Sequence, residues 1–272
     1  MKTHSKPPHK FILESFQYSL PGRLGHGLVH NLNGPLQILS MQMEMLKMDF
    51  MKLGSQIGKT ETGSMDVDIC REFMDKAGGR VEQAAEVITR LETMIQVIGC
   101  RGEDRETEEQ ARPVDMVAFL NTLMEFWKAD LYFKHRVEKR ISMPEISVFV
   151  MMEETPVLAM LDGVMSAFLY CIKAGDREGS SFGLSLASQE EGGCRIEVEH
   201  TGSPIPKEIC EKVMATMDEY ARDRTVPFLT WDDMNDAPPD LLVSLLLGAV
   251  SSVDAGWTFD LGPNSAVMTV SH

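Results

Sequence analysis

No stretch of this chain approaches the roughly 18 consecutive apolar residues of a membrane-spanning helix. The residues Met1 to Pro8 are polar, with no apolar segment behind them of the kind a secretory signal needs. Basic residues are scarce: 26 Lys and Arg stand against 41 Asp and Glu, a formal charge of −15. Phosphate-rich partners would be repelled by that surplus, which argues against nucleic acid and anionic membranes. A solvated acidic surface accounts for it as well. The five cysteines (Cys70, Cys100, Cys171, Cys194, Cys210) are odd in number and form no CxxC pair. That excludes a disulfide framework and a zinc site, and reads as reduced thiols in a cytoplasmic protein without a metal. What remains is ample: 272 residues at 43% hydrophobic content can bury a large core and make two domains.

From Leu32 onward the apolar residues recur at alternating intervals of four and three: Leu32, Leu36, Leu39, Met43, Leu46, Phe50, Leu53. That is an unbroken coiled-coil seam on one helix. The stretch from Gly54 to Ser64, with its three glycines, reads as a loop. A second helix is predicted from about Met65 to Cys100, its broad stripe running through Phe73, Ala77, Val81, Ala84, Ile88, Leu91 and Ile95. Two long helices and a loop form an antiparallel hairpin. Its leftover apolar face calls for a second copy, so a homodimer with a four-helix bundle is expected. Residues 1–22 then read as an N-terminal tail and 23–100 as the hairpin domain. The run RGEDRETEEQAR, 101–112, is charged and without period, and reads as a linker. In 113–272, Pro113-Val114-Asp115 is expected to open a helix. Strands are expected over 135–142, 148–151, 182–188, 194–200, 257–260 and 266–270, and helices up to Ala174 and from Leu241 to Val253. The fold class is therefore α+β, a dimeric four-helix bundle followed by an α/β sandwich.

His30 heads the segment His30-Asn31-Leu32-Asn33-Gly34-Pro35-Leu36, five residues ahead of Pro35. It lies two residues before Leu32, about 200° round a helix, so its imidazole is expected to face away from the seam into solvent. Pro35 lacks a backbone N–H and is expected to loosen or kink the helix. His26 shares the face of His30 but has no proline at that distance. This spacing resembles the phosphoacceptor box of bacterial two-component sensor histidine kinases, and the resemblance runs from about Gly25 to the end of the chain. It implies a dimerisation and phosphoacceptor hairpin joined to an ATP-binding domain. Sensor kinases carry an input domain before the histidine. With so little chain ahead of His30, the signal is expected to arrive through a partner or a very small input.

The resemblance fails where nucleotide chemistry belongs. Aligned on Ile172-Lys173-Ala174, the asparagine that would ligate Mg²⁺ falls on Tyr170, and the other polar position of that box on Ser166. The aspartate that would take the adenine amino proton is His200 in His200-Thr201-Gly202-Ser203-Pro204-Ile205, and of that box only Gly202 and Ile205 remain. The glycine run that would admit phosphate at a helix start reads Asp240-Leu241-Leu242-Val243. Ser166, Tyr170, His200, Gly202 and Leu242 thus mark a vestigial nucleotide pocket, with ATP and Mg²⁺ binding expected to be lost. Asn31 stands where an acidic general base usually follows the histidine, and an amide takes no proton at neutral pH. Gly34 stands where the family often has Thr or Asn to orient water; neither change prevents a neutral imidazole from accepting a phosphoryl group from an activated aspartyl phosphate.

Two readings follow. In the first, the chain is a histidine phosphotransfer protein that relays phosphoryl groups through His30 to or from response regulator receiver domains, with Leu28, Val29, Asn31 and Asn33 as docking neighbours. In the second, it is a non-catalytic pseudokinase dimer that binds a regulator or a sensor kinase. A divergent ATP-dependent kinase ranks last.

Overall fold

The computed structural model describes residues 8–57, 67–99, 110–175, 179–189, 193–224 and 238–270. Helix α1 (Pro8–Ile57) runs without interruption through Pro21 and Pro35. It also begins inside the stretch read as a tail. Helix α2 (Val67–Gly99) returns antiparallel to it. Polar and aromatic pairs join the two: Gln42 donates to Gln83 at 2.9 Å, Arg80 meets Asp49 at 3.0 Å, and Phe50 and Phe73 stack edge to face at 4.8 Å.

The hairpin splits the seam in two. Leu32, Leu39, Leu46 and Leu53 are half-buried, whereas Leu36, Met43 and Phe50 are exposed. With Val29 they form a heptad-spaced apolar line on α1, matched on α2 by Met74, Val81, Ile88 and Ile95, all exposed.

Strand β1 (Arg112–Asp115) pairs antiparallel with β3 (Phe149–Met152) in a small sheet. Pro113-Val114-Asp115 is therefore a strand and not the start of a helix, and Arg112 belongs to β1 and not to the linker. Asp115 nevertheless acts as a helix signal: its carboxylate accepts from the amides of Val117 and Ala118 and caps α3 (Met116–Trp127). A second aspartate, Asp130, caps the short α4 (Leu131–Arg136), which occupies the beginning of the expected first strand. The strand itself, β2, is Glu138–Ser142.

Against the expectation that no stretch approaches a membrane span, helix α5 (Glu154–Gly175) is long and apolar enough by composition, and 72% of its most apolar window is buried inside the fold. Strands β4 (Ser181–Ser188) and β5 (Cys194–His200) form the next hairpin. Helix α6 (Lys207–Arg222), helix α7 (Pro239–Ala255) and strands β6 (Thr258–Leu261) and β7 (Ser265–Val270) complete the domain. The main sheet has the order β2-β4-β5-β7-β6, with β2–β4 parallel and the other pairs antiparallel.

Helices α5 and α7 lie in close contact. A Cβ on Gly163 would come within 2.6 Å of the Gly248 nitrogen and the Ser244 carbonyl oxygen, so only glycine allows this approach. A buried hydrogen bond from Trp127 Nε1 to Asp162 Oδ1, 2.9 Å, fastens α3 to α5.

Candidate functional site: an acceptor turn and a filled pocket

His30 lies in the first half of α1, and its ring, like that of His26, falls outside the described side chains. The helix around it is well defined by its neighbours. Leu24, Gly27, Leu28 and Asn31 stand at spacings of three, four and seven, which places them on one face. That face meets the corner between α3 and α4. Leu24 is buried in the core of the second domain and Leu28 packs against it. Gly27 sits on the Ala129 carbonyl so tightly that a Cβ would lie 1.6 Å from its oxygen. Lys134 Nζ, on α4, donates to Asn31 Oδ1 at 2.8 Å.

Of the four expected docking neighbours, Val29 and Asn33 are exposed, whereas Leu28 and Asn31 are half-buried and already engaged by the second domain. Pro35, buried in the next turn, supplies no N–H to the Asn31 carbonyl and so leaves that acceptor without its usual helical donor.

The residues assigned to the nucleotide pocket gather around α5. Ser166 and Tyr170 are one turn apart on it. The Ser166 hydroxyl is buried with no hydrogen-bond partner, and Tyr170 is half-buried against the core. His200, at the end of β5, is buried with its ring 4.5 Å from that of Phe168 on α5. Its Nδ1 accepts from the Gly202 amide at 3.1 Å, while Nε2 has no partner. The imidazole is therefore neutral: burial pushes its pKa down to about 4, and the Pro263 carbonyl opposes this only in part, without forming a good hydrogen bond.

Gly202 lies flat on the backbone of α5, where a Cβ would come within 2.5 Å of the Cys171 carbonyl oxygen. The Ser203 amide donates to that same carbonyl at 3.0 Å. The retained glycine thus serves close packing of the loop on α5.

Leu242 is buried at the start of α7. Its amide and that of Leu241 both bond to the Pro238 carbonyl, at 3.1 and 3.0 Å. Pro239 has no amide hydrogen, and Asp240 places a carboxylate in the same first turn. A helix start of this kind has little donor capacity left for phosphate. An imidazole packed on a phenyl ring, a phenol and a leucine core do not supply the carboxylate and amide oxygens that adenine and a Mg²⁺-triphosphate require.

Among the described residues, no group of three or more His, Cys, Asp or Glu side chains is placed to hold a metal ion. Burial pushes the thiols of Cys171 and Cys194 up to about 11 and about 12, so both stay protonated.

Sequence reasoning passed over Lys134, Gly27 and Ala129. The signal was the stripe Leu24-Gly27-Leu28-Asn31, which precedes the seam and has its own partner.

No family model matches the chain, and no curated protein does. Solved structures do. The catalytic domain of histidine kinase ThkA is 13% identical, with 60% of this chain and 95% of that one covered at a TM-score of 0.43. Acinetobacter baumannii histidine kinase AdeS is 12% identical, covering 89% and 97% at 0.38. The histidine kinase domain of the Erythrobacter litoralis EL346 blue-light activated histidine kinase is 13% identical, covering 92% and 94% at 0.40.

Proposed function

We propose that the chain is a cytoplasmic histidine phosphotransfer protein of two-component signalling, working as a homodimer through its hairpin and without ATP. One observation carries the reading: a histidine five residues ahead of a proline on α1 accompanies positions expected of a nucleotide pocket that are taken up by buried side chains, His200 and Leu242 foremost. In the transfer step, a neutral ring nitrogen of His30 attacks the phosphorus of a regulator's aspartyl phosphate. The N–P bond forms, the acyl P–O bond breaks and the carboxylate leaves with its electron pair. The Mg²⁺ and the catalytic aspartates belong to the regulator. Reversal of the same step loads a second regulator. The exposed heptad lines on α1 and α2 support the dimer, because an apolar surface of this extent is seldom left uncovered on a monomer.

The test is incubation with a phosphorylated receiver domain. The parent should acquire label on His30, while His30→Gln should keep its fold, its dimer and a stability within about 0.5 kcal/mol but take none. Equal labelling of the variant sinks the proposal, and an unlabelled parent leaves the non-catalytic dimer in its place. Calorimetric titration with Mg-ATP should give no binding at micromolar concentrations. Binding there would favour a divergent kinase instead.

A further inference from the structure

From Leu24 to Met43, helix α1 carries no Asp, Glu, Lys or Arg. The acceptor turn therefore has no fixed charge of its own, in a protein whose formal charge is −15. A phosphoryl group placed there brings close to two more negative charges. The cation at this turn comes from the other domain, as the Lys134 ammonium against Asn31, the residue next to His30.

Lys134 is held in position. Asp130 caps its helix through the Phe133 amide at 2.9 Å. Lys139 Nζ then ties down the far end of the helix by donating to the carbonyls of Phe133, Lys134 and Val137. The partner of Lys134 also sets it apart from its neighbours. Lys128 and Lys173 on the same corner are paired with carboxylates, Glu125 and Asp130, whereas Lys134 is bonded to a neutral amide oxygen. An ammonium of that kind exchanges a weak acceptor for a charged one at a gain, because hydrogen bonds to charged acceptors are about twice as strong.

We propose that Lys134 is a positioning residue of the acceptor site: once His30 is phosphorylated, its ammonium moves from Asn31 to a phosphoryl oxygen and holds the dianion. The second domain, stripped of nucleotide donors, then serves as the platform that presents this cation. The inference rests on the reading of His30 as the acceptor.

Phosphoramidate, a small phosphodonor, tests it on the full chain without any regulator. A neutral ring nitrogen forms the new N–P bond, the donor's own N–P bond breaks, and ammonia leaves with the electron pair. The ring proton stays on the other nitrogen. Phosphorus NMR then follows the second ionisation of the phosphoryl group in the parent, Lys134→Gln, Lys134→Arg and Asn31→Ala. Loss of the cation in Lys134→Gln should raise the titration midpoint by roughly half a unit or more. Lys134→Arg should restore it, and Asn31→Ala, which removes only the competing acceptor, should leave it at or below the parental value. A Lys134→Gln midpoint equal to the parent's, with His30 labelled in both, overturns the proposal and leaves the acceptor reading intact. A parent that takes no phosphoryl group on His30 overturns both.

Discussion

Burial of the His200 imidazole makes the second domain sensitive to acid. Unfolded, the ring titrates near 6.5; folded, burial holds it near 4. Between these values the unfolded chain binds more protons than the folded one. Stability is therefore full above pH 6.5 and falls as the pH drops toward 4, by about 3 kcal/mol once the window is crossed. Urea midpoints at pH 7 and pH 4.5 should separate accordingly. His200→Asn keeps an oxygen for the Gly202 amide but does not titrate, so its two midpoints should lie closer together than the parent's. An unchanged separation would show that carboxylates elsewhere govern the acid response. A buried histidine at this position thus has a cost in proton linkage, offset by the ring contact with Phe168 and the bond from Gly202.

Helices and strands differ in how plainly the sequence declares them. Strand β5 alternates so strictly that Cys194 and His200 are legible as its ends; continuous apolar character locates α7 within two residues at both ends, but α5 only at its C-terminal end. Helix α6 was not anticipated, although Ile209, Cys210, Val213 and Tyr220 lie buried along it. Helix α4 was absorbed into the strand that follows it, since six residues carry too little periodicity to declare a helix. The seam on α1 was read correctly as apolar, but one chain gives no means of telling which half meets α2 and which half faces outward. The outward half makes a prediction. Met43→Glu together with Ile88→Glu places charge on both exposed heptad lines while leaving the contacts of Asp49, Arg80, Phe50 and Phe73 in place. Light scattering should show the parent as a dimer and this variant as a folded monomer. A variant that remains dimeric would move the interface elsewhere.

Across the whole molecule, the two domains touch one turn from His30, and a missing methyl group at Gly27 permits it. Gly27→Ala suits a helix better by about 1 kcal/mol, but its Cβ has no room beside the Ala129 carbonyl. The variant should keep its helical signal while small-angle scattering shows a larger radius of gyration, as the second domain moves off α1. An unchanged radius would mean that the corner yields locally. Tyr170, His200 and Leu242 are legible as residue types, whereas the approach of Lys134 to Asn31 joins positions far apart in the chain. The main sheet, finally, ends on β2, which carries the exposed Glu138 and Arg140, paired to each other. An incoming strand would have to strip water from those charges before finding a backbone donor. Charge at this rim guards against edge-to-edge pairing of strands.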